Sequence, residues 1–240
     1  MAGKILILFC LFYWNNAHAA AVNIQRCKED DGACMKESAV AFKPAFAAGI
    51  PELGVESLDP MKFKVIDASE RDLKLILKDI TVGGASKCNI LKIKLKKKDK
   101  LQVELLCDKV DITGSYVMSG RLLVLPMEGN GALTVALKQL YIKIEADVAT
   151  KTGKDGKPHW TIPNWKFDFD LRSKSNVFFD NLYPGNELLG QTARDLVKNN
   201  GNDIIFAVGR PVVKTIISKV VDNVSKLFTN LPKDDYVLPS

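Results

Sequence analysis

The most constraining feature of this chain lies near its C-terminus, where residues 203–228 read DIIFAVGRPVVKTIISKVVDNVSKLF. Ile205, Val208, Val212, Ile216, Val220, Val224 and Leu227 recur at steps of three or four, and Val213, Ile217, Val221 and Phe228 widen the stripe. Arg210, Lys214, Lys219, Asp222, Asn223 and Lys226 fall on the other side. This is the period of an amphipathic helix with a broad apolar face. Straight, it would span about 39 Å. Gly209 and Pro211 predict a bend, because proline lacks an N–H donor and crowds the carbonyl four residues back. Valine and isoleucine are weak helix formers, so packing must hold the helix. The rest of the chain therefore has to wrap a large apolar surface around it.

Upstream, the period is mostly two, as in half-buried strands. Phe63 and Val65 alternate with lysines, as do Leu73, Leu75 and Leu77. Leu91, Ile93 and Leu95 alternate with Lys92, Lys94 and Lys96, and Leu101, Val103 and Leu105 follow a turn. Matching these apolar rows sets Leu91 opposite Leu105 and Ile93 opposite Val103. Ile112, Gly114, Tyr116, Met118, Gly120, Leu122 and Val124 share one face of a long strand, which Pro126 ends and a Gly129–Gly131 turn follows. Leu140, Ile142, Ile144 and Val148 resume the alternation, and Trp165, Phe167, Phe169 and Leu171 alternate with charged residues. Helical patterns flank the strands, one through Val40, Phe42 and Phe46, another through Leu188, Leu189, Leu196 and Val197. No linker, repeat or low-complexity tract divides the chain. The expected fold is α+β: a strongly curved antiparallel β-sheet rolled around a long C-terminal helix.

The first residues have the form of a secretory signal peptide over 1–19: Lys4, an apolar run over 5–14, and Ala17-His18-Ala19 as the cleavage site. That run is too short to span a bilayer, which needs about 20 residues. A single domain over 20–240, secreted and extracellular, is expected, with no stable membrane insertion. In an oxidising compartment the four remaining cysteines predict two disulfides. Of three possible pairings, Cys27–Cys34 with Cys88–Cys107 closes two short loops and is the expected one. The strand register sets Cys88 opposite Asp108, one position short, and a bulge would reconcile the two. Zinc, the rival use, lacks close ligand spacing, and the mature chain keeps one histidine, His159.

Chemistry for turnover is sparse. His159 has no serine elbow near it and reads as a surface or structural residue. Asp168 and Asp170 share a strand face with Lys166 and Arg172, as on a solvated outer face. The formal charge of +6 demands no nucleic acid. No enzyme activity, metal or cofactor is expected. A sheet around a helix encloses an elongated apolar space, which is either a filled core or a slot for a long hydrophobe. Gly114, Gly120 and Ala136 would leave room in it. Candidate lining residues are Phe42 and Phe46 on the first helix, then Tyr116, Met118, Leu122, Leu140, Ile142, Trp165, Phe167 and Phe169 on strands. Phe206, Val213 and Ile217 would line it from the long helix. Tyr116 offers one polar tip, and Asn223 heads a glycosylation sequon on the polar face of that helix. The alternative function is docking on membranes or receptors through the basic 92–100 hairpin.

Ordered motifs add a resemblance. The Cys27/Cys34 pair and GIPELGVESLDP over 49–60 are followed by DITVG over 79–83, GSY over 114–116 and GRLLVLP over 120–126. GNG over 129–131, DNLYPG over 180–185 and the asparagine-rich 199–202 complete the set with Leu231-Pro232. Together they resemble the takeout and juvenile hormone-binding proteins of insects. The resemblance implies a tubular lipid-binding fold and a monomer that circulates with a terpenoid or other lipid in an internal tunnel. The Cys88/Cys107 pair departs from the usual family pattern and rests on spacing.

Overall fold

The computed structural model describes residues 24–96, 99–123 and 125–239; the expected signal peptide lies outside them. Helix α1 spans Gly32–Ala48, with the Asp31 side chain accepting from the Cys34 N–H at 2.9 Å. Strands β1 (Met61–Asp67), β2 (Leu73–Gly83), β3 (Asn89–Lys96), β4 (Lys100–Leu122) and β5 (Leu125–Asp147) follow. A small hairpin, β6 (Ala149–Thr152) and β7 (Pro158–Thr161), precedes β8 (Trp165–Leu171) and β9 (Asn176–Phe179). The chain ends in α2 (Glu187–Asn199), α3 (Gly201–Val208) and α4 (Arg210–Asn230).

Seven strands form one antiparallel sheet. Its spine is the β4–β5 pair, 23 residues each. At about 3.3 Å per residue each strand would run about 76 Å if straight, twice the length of the helix it must cover, so the sheet coils. β4 pairs with β3 along its first half and β2 along its second; β5 pairs with β9 and then β8. The buried row changes parity between Cys107 and Val110, where Gln139 on the partner strand takes φ 48°. The one helical stripe foreseen at the C-terminus is two helices, parted at Gly209 by the missing N–H of Pro211.

Two details of the strand reading change. Residues 129–131 are not a turn but lie inside β5, paired with Tyr116, Val117 and Met118. The hairpin turn falls instead at Leu123, with φ 57°. On β3 the register shifts between Ile90 and Lys92, so Ile90 rather than Leu91 faces Leu105. That bulge brings Asn89 opposite Leu106 and Cys88 alongside Cys107. Both expected disulfides are present, Cys27–Cys34 and Cys88–Cys107, with Cα separations of 5.7 and 4.0 Å.

Candidate functional site

Helices α3 and α4 lie against the open side of the curled sheet and touch both of its edges. Along the β1 edge the ties are polar. The Asn223 amide donates to the Glu56 carbonyl at 2.8 Å and accepts from the Glu56 N–H at 3.3 Å. Lys219 and Lys226 sit 2.9 and 3.0 Å from the Glu56 carboxylate, and their hydrogen bonds hold its pKa down to about 2. Lys219 also lies 5.6 Å from the Phe63 ring centroid. Along the β8 edge, Arg210 donates to the Phe167 carbonyl at 3.1 Å and sits 4.7 Å above the Phe167 ring. Beyond Arg210 that seam is apolar: Phe206 stacks on Phe169 with ring centroids 5.7 Å apart.

Between helices and sheet, under the α3–α4 bend, lies a cavity of about 60 Å³. Leu75 and Leu77 of β2, Ile112 of β4, Leu133 and Leu137 of β5, and Val177 and Phe179 of β9 form its floor. Ile204, Ile205, Val208, Val212 and Val213 form its roof. No polar side chain borders it, so it can do no acid–base or nucleophilic chemistry; it can exclude water. The cavity is well below the roughly 150 Å³ at which an engineered apolar void takes up benzene.

Sequence reasoning put the lining elsewhere. Of the residues expected there, Val213 borders the cavity. Met118, Leu122, Leu140, Ile142, Phe167 and Ile217 are buried in the continuous core around it, and Phe169 packs at its margin. Phe42 and Phe46 pair at 6.1 Å under α1, against a cluster containing Ile50, Val55 and Leu227. Phe206 is 46% exposed, because at the α3–β8 seam it faces outward over Phe169. Trp165 borders a second cleft of about 410 Å³, whose other lining residues include Lys96, Lys100, Glu145 and Lys166. The walls of this cavity were not singled out because Leu133, Val177 and Ile204 look like any other core positions in the sequence. The closest available signal was the Gly209–Pro211 bend beneath which they gather.

Other candidates resolve into structure. The Tyr116 hydroxyl donates to the Asp180 carbonyl, so it is spent on a loop and burial pushes its pKa up. Gly114 and Gly120 leave no room: a Cβ there would lie 2.5 Å from Ile80 Cδ1 and 2.0 Å from the Asp72 carbonyl oxygen. Asn223 is 1% exposed. Its amide is engaged on both sides by Glu56, which leaves no place for a glycan in the folded chain. His159 is buried, with Nδ1 3.1 Å from the Phe228 carbonyl and Nε2 3.0 Å from Asp155. Burial alone would lower its pKa, but those two acceptors outweigh it and raise the value. In the 92–100 hairpin, Lys92 pairs with Glu104 at 3.5 Å and Lys100 pairs with Asp147. Among the described residues no cluster of His, Cys, Asp or Glu could hold a metal, and no helix is long and apolar enough to cross a membrane.

A coiled antiparallel sheet packed on C-terminal helices, with a small apolar cavity between them, defines the class of fold. The comparisons place the chain within it. Residues 5–238 match the family model for haemolymph juvenile hormone binding protein, and the chain belongs to that family. The circadian clock-controlled protein daywake of Drosophila yakuba and that of Drosophila melanogaster are each 24% identical to it over 226 residues, 89% of this chain and 86% of theirs. The crystal structure of Epiphyas postvittana Takeout 1 has the same fold, with a TM-score of 0.84 at 24% identity over 90% of this chain and all of that one.

Proposed function

We propose that this protein is an extracellular, monomeric carrier of an elongated apolar small molecule, a terpenoid or acyl lipid, held between α3–α4 and the sheet. The observation that carries the reading is the void under the α3–α4 bend, bordered by side chains that are without exception apolar. Family membership, the two disulfides and the N-terminal signal pattern support it. The driving force is desolvation. Each buried CH₂ contributes about 0.8 kcal/mol, so about ten of them supply about 8 kcal/mol before association costs. A ligand of that size does not fit 60 Å³, so loading requires the roof to lift. Helix α3, eight residues long and joined to α4 at Gly209, is the part suited to yield. Its outer contact with β8 is an aromatic stack rather than an ion pair, whereas α4 is tied to Glu56.

Organic extraction of the purified protein should yield a lipid, and that lipid should displace a bound fluorescent hydrophobe. Recovery of no lipid together with no hydrophobe binding would refute the carrier reading. The small resting volume also suits the competing reading, a filled core with docking through the 92–100 hairpin. Reversing the charge of Lys94, Lys96 and Lys98 separates the two. It abolishes vesicle or receptor binding under that alternative and leaves hydrophobe loading unchanged under the carrier reading.

A further inference from the structure

Every side chain bordering the cavity under the α3–α4 bend is apolar. A lipid with a polar end finds no hydrogen-bonding partner there, and burying that end unpaired is strongly unfavourable. The end group must therefore lie at the margin of the site. Polar groups on the walling elements are engaged elsewhere in the fold. The Tyr116 hydroxyl donates to the Asp180 carbonyl, and Asn202 joins the Ser175 N–H to the Ser173 carbonyl. Asn223, Lys219 and Lys226 all bind Glu56.

Arg210 differs. It opens α4, flanked by Gly209 and, past Pro211, by Val212, and both of these border the cavity. Its guanidinium crosses the seam to β8, where it donates to the Phe167 carbonyl at 3.1 Å and lies 4.7 Å above the Phe167 ring. The Asp168 carboxylate stands 3.7 Å away, beyond hydrogen-bond distance, and its side chain is 84% exposed. A guanidinium carries five N–H donors. Among the described residues Arg210 thus keeps donors to spare, and its side chain is 57% exposed.

We propose that Arg210 is the head-group residue of the site, and that the ligand is an elongated apolar chain ending in a carboxylate. The proposal rests on the carrier reading and narrows its ligand class. Pinned to β8, Arg210 stays in place when α3 swings about Gly209, so it forms the fixed edge of the opening. The chain lies under the bend, and its last atoms emerge beside the guanidinium. The planar fork matches two carboxylate oxygens, whereas an ester carbonyl takes one uncharged bond. One cation, shared in part with Asp168, matches a single negative charge.

Displacement of a bound neutral dye, N-phenylnaphthylamine, from the mature chain tests this. Palmitate and methyl palmitate compete at about pH 8, well above the usual carboxylate pKa. Wild type releases the dye to palmitate at about tenfold lower concentration than to the ester, the factor expected of a partly exposed charge-assisted hydrogen bond. Arg210→Gln brings palmitate to the level of the ester and leaves the ester within about twofold. Arg210→Lys retains part of the preference. Asp168→Asn widens it, because the competing carboxylate is gone. Lys214→Gln, exposed on the same helix, keeps the wild-type ratio. Wild type that binds acid and ester equally overturns the proposal. So does an Arg210→Gln variant that weakens both alike, since Arg210 is then a structural tie alone, or a preference lost in Lys214→Gln. Wild type that binds neither dye nor ester nor acid overturns the carrier reading along with the proposal, so binding of the ester tells the two failures apart.

Discussion

Replacing Asn223 with alanine isolates the tie between α4 and the loop before β1. In the native fold its side chain satisfies both the Glu56 carbonyl, at 2.8 Å, and the Glu56 N–H, at 3.3 Å. Alanine leaves both groups without a protein partner. Each unsatisfied buried group costs about 1–3 kcal/mol; with water able to reach part of this loop, about 2–3 kcal/mol is expected for the pair. At about 2–4 °C per kcal/mol for a chain of this size, the melting temperature falls by about 4–12 °C. Differential scanning calorimetry with urea unfolding reads the change, and Asn223→Asp, which keeps the acceptor, loses about half as much. Ser225→Ala destroys the sequon yet should remove no glycan mass from the secreted protein and keep its stability within about 0.5 kcal/mol. A neutral Asn223→Ala, or a loss of glycan mass in Ser225→Ala, refutes the reasoning.

Three further outcomes follow from the same contacts. The raised pKa of His159 means its contribution is complete below about pH 6.5 and fades as pH rises through the higher folded value. The stability gap between wild type and His159→Gln should therefore narrow from pH 6 to pH 8 in urea titrations; a gap that widens contradicts the two-acceptor geometry. Leu137→Ala enlarges the cavity and should cost about 2–5 kcal/mol while admitting a benzene-sized probe, read by calorimetric titration. Converting Cys88 and Cys107 to serine reopens a loop with sequence separation 19 and should cost about 3 kcal/mol in chemical unfolding.

The architecture was legible because periodicity reports on burial. The stripe from Ile205 to Leu227 could be nothing but a helix against a large apolar surface, and Ile142, Ile144, Phe167 and Phe169 alternate as paired strands must. The bulge on β3 could be inferred from the misfit between cysteine spacing and apolar register, and it falls at Leu91. What the sequence hides is placement normal to the sheet. Gly114 and Gly120 look like vacancies, yet Ile80 and the Asp72 carbonyl occupy the space beside them. Asn223 sits among polar neighbours on a helical wheel, yet a loop distant in sequence folds over it. Phe206 belongs to an apolar run, yet the sheet edge at β8 leaves it at the rim. Each of these depends on which segment arrives from far along the chain, and periodicity carries no such information. The turn at Leu123 was hidden for the opposite reason, since that stretch was read as the end of a strand.

The central claim is that the interval under the α3–α4 bend opens to hold an apolar molecule. A crystal structure of the protein loaded with its extracted lipid tests this directly. The account predicts ligand density between Leu137, Val208 and Val213, with α3 moved away from Phe169 and the space grown several-fold beyond about 60 Å³. Density on the outer surface instead, with the interval unchanged, would contradict it.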